Sequence, residues 1–159
     1  MLTKPDLETR LAEDHHQALK LWLRLLTCTN LITAGIRARL RERFGTTLPR
    51  FDLLAQLERH PQGLRMGELS RRMMVTTGNV TGITDQLEAE GLVRREIDPQ
   101  DRRSYVVRLT PKGQQLFTEM ARVHEGWVIE LFSGLSAAEK ESLYTLLGRL
   151  KALLKKEAP

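Results

Sequence analysis

From about His15 to Phe44, apolar and small residues recur at spacings of three and four: Trp22, Leu25/Leu26, Thr29, Ile32/Thr33, Ile36, Leu40 and Phe44. That period predicts one long amphipathic helix, ended by Gly45. At about 1.5 Å per residue the helix is roughly 45 Å long, more than one small core covers. Part of it is therefore expected to pack against another chain. Thr47-Leu48-Pro49 opens a second helix, with Pro49 in its first turn and Phe51, Leu54 and Leu57 as its buried stripe. His60-Pro61-Gln62-Gly63 closes it. A short helix is predicted from about Met66 to Met73. After a brief turn, a helix of about four turns is predicted with Thr76 as its N-cap, Val80, Ile83 and Leu87 inward, and Gly91 at its end.

The period then changes. Leu92 to Ile97 reads as a strand and Asp98-Pro99-Gln100-Asp101 as a turn. The residues beyond alternate, with Tyr105, Val107 and Leu109 on one face, expected to fasten the strand to the core, and Val106 and Arg108 on the other. Two antiparallel strands behind a helix-turn-helix predict a winged helix. Thr110-Pro111 opens a further helix, striped by Leu116/Phe117, Met120, Val123, Trp127 and Leu131. Ser136-Ala137-Ala138-Glu139 has the capping-box pattern and starts the last helix, apolar on a broad face from Leu143 to Leu154. The expected fold is mainly α with a small β-wing. Residues 48–110 form a winged helix-turn-helix, flanked by dimerisation helices at 1–47 and 111–159. The end helices hold more leucine than the central domain can bury, and a two-fold homodimer through both termini is the simplest solution.

Composition narrows the function. The chain has 159 residues, 41% hydrophobic and 28% charged, as expected of a folded soluble protein. A net charge of +5 permits an anionic partner. With Cys28 as the only cysteine, an intrachain disulfide and a Cys-rich zinc site are excluded. Asp14-His15-His16 lacks a second ligand group at firm spacing, so neither metal nor cofactor is expected. No run approaches the roughly 18 apolar residues of a membrane span, and no signal peptide is visible. A cytoplasmic protein is expected. No nucleophile sits beside a base and no glycine-rich phosphate loop occurs, so an enzyme is not.

The charge pattern points to DNA. Arg102 and Arg103 stand beside Asp101 at the tip of the predicted wing, where guanidinium groups meet phosphates and a narrow minor groove. The start of the helix after Thr76 exposes Thr77, Gly78, Asn79, Thr81 and Gly82. Such short side chains let a recognition helix approach the bases. Threonine can donate to phosphate or touch a thymine methyl, and asparagine can pair with adenine. Phosphate contacts are expected from Arg71, Arg72 and Thr76.

Gly67-Glu68-Leu69-Ser70, the segment from Asp85 to Arg95, Asp101-Arg102-Arg103, and Val107-Arg108-Leu109-Thr110-Pro111-Lys112-Gly113 together resemble the DNA-binding half of the MarR family. With the flanking helix order, the resemblance covers nearly the whole chain. It implies a homodimeric winged-helix repressor on a pseudo-palindromic operator, with recognition helices in successive major grooves. It also implies that Arg103 enters the minor groove and that Asp101 orients it. Family members often carry a long basic residue where this chain has Gly82, which shifts base reading onto Thr77, Asn79 and Thr81. The resemblance further implies release by a small aromatic acid or its CoA thioester, bound between the dimer helices and the DNA-binding lobe. Arg37 and Arg41 share a helix face that suits such an anion, and Trp22 and His124 are candidates to line the cleft. Cys28, among leucines, is expected to be a buried structural residue. Two alternatives stay open: a redox-sensing repressor using Cys28, and a winged-helix module that binds protein rather than DNA.

Overall fold

The computed structural model describes residues 16–73 and 79–157. In chain order it has α1 (Gln17–Phe44), α2 (Leu48–Glu58), β1 (Leu64–Arg65), α3 (Met66–Arg72), α4 (Val80–Ala89), β2 (Val93–Asp98), β3 (Asp101–Leu109), α5 (Pro111–Leu131) and α6 (Ala137–Glu157). The chain packs as two units, one reaching to Ala121 and the other starting at Arg122, with α5 running through the boundary.

Local chemistry accounts for several of the element ends. Gly45 takes the left-handed conformation (φ 59°) and its N–H returns to the Arg41 carbonyl, which closes α1 as a glycine C-cap does. Thr47 caps α2 by accepting the Arg50 N–H, with Pro49 in the first turn. The Ser136 hydroxyl accepts the Glu139 N–H at 3.1 Å, and the Glu139 carboxylate accepts the Ser136 N–H at 2.7 Å. That reciprocal pair is the expected capping box at α6.

The core of the first unit is built from Leu40 of α1, Leu53, Leu54 and Leu57 of α2, Leu69 of α3, Leu87 of α4, Val93, Val107 and Met120, all fully buried. Phe51 and Phe117 stack at 5.5 Å between ring centres and join α2 to α5. The sheet is antiparallel in the order β1-β3-β2. The third strand, β1, was not expected. It is two residues long and pairs Leu64 with Val107 and Arg65 with Val106, which places the start of α3 on the wing.

The Leu-Thr-Pro-Lys-Gly stretch that ends β3 is a joint. The Thr110 N–H donates to the Leu92 carbonyl, its hydroxyl donates to the Gly91 carbonyl at 2.6 Å, and that hydroxyl accepts the Gly113 N–H at 3.0 Å. Gly113 is buried, and a Cβ there would fall on the Leu92 carbonyl oxygen. Threonine and glycine three apart thus let α5 start directly against the turn that ends α4.

Three expectations are corrected. Tyr105 does not fasten β3 to the core, because it is 53% exposed, while Val106 is buried together with Val107. The sheet is covered only near its base, and Tyr105 lies toward the tip. Cys28 is exposed, not buried, because α1 meets the core only through Ile36 and Leu40. The described part of the helix after α3 begins at Val80 with Asn79 as its N-cap, and Thr76 and Thr77 lie outside the described residues. The stripes of the end helices find little cover in the chain itself: Trp22, Leu31, Ile129, Leu146 and Leu153 are exposed, and α6 has no buried residue.

Candidate nucleic-acid interface

The wing is a two-stranded ribbon turning at Pro99-Gln100, with Asp98 opposite Asp101 and a register irregularity at Ile97/Asp98. Two carboxylates organise it. Asp98 accepts the Gln100 N–H at 2.9 Å and the Arg65 Nε–H at 2.7 Å. Asp101 accepts the Arg103 backbone N–H at 3.0 Å and the Ser104 hydroxyl at 2.8 Å. Asp101 therefore orders Arg103 through its backbone. Arg102 and Arg103 are exposed and have no ion pair among the described residues. As neighbours on a strand they project to opposite faces.

These bonds hold both carboxyls below the usual range: Asp98 through the Gln100 amide and Arg65, Asp101 through the Arg103 amide and the Ser104 hydroxyl. A carboxyl with a depressed folded-state pKa stabilises above its unfolded value, near 3.9, and loses that contribution as pH falls through the lower folded value. The wing is expected to stay ordered from neutral pH through about pH 4. Amide shifts of Gln100 and Arg103, followed by NMR, should titrate with midpoints under the ordinary aspartate value. Midpoints at or above it would contradict these assignments.

Arg95 fixes the wing to α4. Its guanidinium donates to Asp85 at 2.6 Å and to Glu88 at 3.0 Å, and its backbone N–H donates to Glu88 at 2.9 Å. Partial burial works against its charge, but the two carboxylates outweigh that and raise its pKa. Arg95→Met is expected to lower stability by about 1–2 kcal/mol, since hydrogen bonds between charged groups are the stronger kind, discounted for exposure. Urea unfolding with an unchanged midpoint would show that the clamp contributes nothing.

Two of the expected DNA contacts, Arg71 and Arg103, come together. A cleft of about 500 Å³ between α3 and the wing is lined by Arg65, Glu68, Arg71, Arg95, Arg103 and Tyr105, among others. Of its four guanidinium groups, Arg65 is paired with Asp98 and Arg95 with Asp85 and Glu88, which leaves Arg71 and Arg103 against the Glu68 carboxylate and a small cationic excess. Arg72 is exposed on α3 but is not among its lining, and neither is Arg102. Thr81 is exposed on the first turn of α4. Asn79 is exposed as well, but its Oδ1 accepts the Gly82 N–H at 2.8 Å. A bidentate grip on adenine would have to break that cap. A Cβ at position 82 would meet the Asn79 side chain, so Gly82 gives the cap its room.

Two of the anion-site candidates share a cavity. Arg37 and Arg41 line one cavity of about 380 Å³ with Thr46, Arg50, Ile83 and Gln86. Trp22 stands fifteen residues earlier on α1, about 22 Å along the helix at 1.5 Å per residue, and is not part of it. His124 belongs to the second unit, where burial lowers its pKa. Arg50 and Arg65 were not singled out in the sequence, since their partners Glu90 and Asp98 stand 40 and 33 residues away. Glu90 and Arg95 fall in the Asp85–Arg95 segment, but no local pattern marks the pairs they form. Among the described residues no group of acids, histidines and cysteine has metal-site geometry, and no helix is long and apolar enough to cross a membrane.

Known proteins share this family and fold. The profile of the MarR family matches residues 46–105. The chain is 32% identical over 142 residues to the transcriptional activatory protein BadR of Rhodopseudomonas palustris, covering 84% of this chain and 80% of that one. It is 38% identical over 89 residues to the HTH-type transcriptional regulator YkoM of Bacillus subtilis, a match that spans 56% of each chain. A crystal structure of a MarR family transcriptional regulator from Silicibacter pomeroyi superposes with TM-score 0.76 at 29% identity, over 92% of this chain and all (100%) of that one. Sco3205 of Streptomyces coelicolor, a MarR family regulator solved in complex with DNA, shares the fold with TM-score 0.74 at 24% identity, over 89% of each chain.

Proposed function

This chain belongs to the MarR family of transcriptional regulators, and on that premise we propose that it is a homodimeric, ligand-responsive repressor that binds a pseudo-palindromic operator. The observation that carries the proposal is the cationic cleft joining Arg71 on α3 to Arg103 on the wing. In this reading α4 enters the major groove with Thr81 toward the bases; Thr76 and Thr77, expected from the sequence to contact DNA, lie outside the described residues. Arg71 and Arg72 hold phosphates, and Arg103 reads minor-groove shape while Asp101 and Arg102 complete the wing tip. The uncovered apolar faces of α1 and α6 are what a partner protomer would cover. The Arg37–Arg41 cavity takes an organic anion, a small aromatic acid or the acyl part of a CoA thioester, and its occupancy lowers DNA affinity. Whether such a regulator represses depends on where its operator lies relative to the promoter, and BadR carries the name of an activatory protein.

Fluorescence anisotropy on labelled duplex from upstream of the protein's own gene tests this. A specific site is expected to bind roughly 10³-fold tighter than a shuffled duplex of equal length at physiological salt. Equal affinity for the two duplexes would sink the DNA reading. Sedimentation of the DNA-free protein as a stable folded monomer at micromolar concentration would sink the dimer.

A further inference from the structure

Arg50 occupies an unusual position. It lines the Arg37–Arg41 cavity and also a second, smaller chamber of about 150 Å³ whose other walls include Phe44, Leu54, Leu92, Leu116 and Met120. Among the described residues, Thr46 is the only other one that lines both. One end of the Arg50 guanidinium pairs with the Glu90 carboxylate, while its Nε–H is buried with no acceptor. A buried donor left unmade is costly. Glu90 is the C-cap residue of α4: its N–H donates to the Gln86 carbonyl and its own carbonyl accepts the Lys112 ammonium at 2.9 Å. From α4 itself, Ile83 and Gln86 face the first cavity.

We infer that Arg50 is the coupling residue of this site: it gives up Glu90 for the carboxylate of a bound ligand and so reports occupancy to the C-terminal end of α4. The inference rests on the reading of the Arg37–Arg41 cavity as an organic-anion site. A guanidinium favours a planar two-point grip on a carboxylate, and a ligand carboxylate would also satisfy the orphan Nε–H. Glu90 is 47% exposed, so water takes over its solvation readily once Arg50 leaves. The smaller chamber, whose size is about that of a cavity that accepts one benzene ring, has Phe44, Leu54, Leu92, Leu116 and Met120 to receive a ring, and Thr46, Arg50 and Glu90 as its polar lining. With Glu90 displaced toward water, that two-sided lining suits a one-ring monocarboxylate better than a bare inorganic anion. Losing the Arg50 tie loosens the last turn of α4 and its handover to β2 at Gly91 and Leu92. The recognition helix then samples orientations that fit a major groove less well.

Benzoate is the probe, with inorganic phosphate as a test of the cationic half alone. On the full chain, calorimetry gives the benzoate affinity and hydrogen exchange gives the opening of residues 86–93. Benzoate is expected to raise exchange at Glu90, Gly91 and Leu92 by about tenfold, within the usual span of site-to-site coupling. Glu90→Gln should bind benzoate at least as tightly as wild type, show the raised exchange without ligand, and show no further rise with it. Arg50→Lys should keep the fold and lose the response. A Glu90→Gln protein that binds benzoate and responds as wild type does would overturn the coupling role and leave the anion site standing. Failure of wild type to bind benzoate, or binding unaffected by Arg37→Ala and Arg41→Ala, removes the anion site and the coupling with it. An equal response to phosphate overturns the one-ring ligand class.

Discussion

Arg103→Ala is expected to weaken binding to the upstream duplex by about 1–3 kcal/mol, roughly tenfold to more than a hundredfold. The residue is exposed at the wing, and its backbone is fixed by Asp101 in advance of any ligand. Less freedom is lost when it docks, so more of its attraction to the groove appears as affinity. Its removal should also reduce the slope of log affinity against log salt by about one counterion. Asp101→Asn gives a gentler version. It keeps the acceptor oxygen but removes the charge that strengthens bonds to the Arg103 amide and Ser104 hydroxyl, so the loss should be smaller and the salt slope unchanged. If Arg103→Ala left both affinity and slope as in wild type, the wing would have no part in DNA binding.

Gly113→Ala is expected to be the most damaging of the small substitutions. Its new methyl group would fall on the Leu92 carbonyl oxygen, which is already engaged by the Thr110 N–H. Backbone atoms on both sides must move, because the obstruction is no flexible side-chain end. Overpacking of this kind costs about 1–3 kcal/mol, and with backbone as the obstacle the upper end applies. In a chain of this size that lowers the melting temperature by roughly 5–10 °C. Gln115→Ala, on the exposed side of the same helix, should melt within about 1–2 °C of wild type, as surface changes usually do. Thermal melts followed by circular dichroism at one fixed protein concentration decide the point. Equal melting of Gly113→Ala and wild type would show that the joint between β3 and α5 tolerates a side chain. DNA affinity should fall with stability here, because Leu92 directly precedes β2 and so anchors the wing.

The sequence carried the architecture because the architecture is mostly local. Leucines at three and four apart, Gly45 behind α1, Thr47 and Pro49 before α2, and the capping box at α6 act within a few residues, and each stands where its chemistry requires. What could not be seen depends on partners far along the chain. β1 is two residues long, too short for any period, and exists only because Val106 and Val107 lie beside it. The burial of Val106 and exposure of Tyr105 follow from how far the core extends along β3, which alternation does not encode. Thr76 and Asn79 are both good N-caps by type. The geometry gives Asn79 that bond in the described chain, with Gly82 making the space. At the interface, the arginines of the wing announced themselves by sequence. The clamp of Arg95 on Asp85 and Glu88, the tie of Arg65 to Asp98 and the pair of Arg50 with Glu90 did not, since each joins residues that meet only in the folded chain.

In the proposed complex two copies of this winged helix sit symmetrically on one duplex, with α4 in the major groove and the wing in the minor groove. Hydroxyl-radical footprinting reports minor-groove access along both strands and tests it most directly. The expected pattern is two-fold symmetric: two half-sites about one helical turn, roughly 10–10.5 base pairs, apart, each flanked by a protected minor-groove patch that Arg103→Ala abolishes. A single unsymmetrical patch, or flanking protection that survives Arg103→Ala, would contradict it.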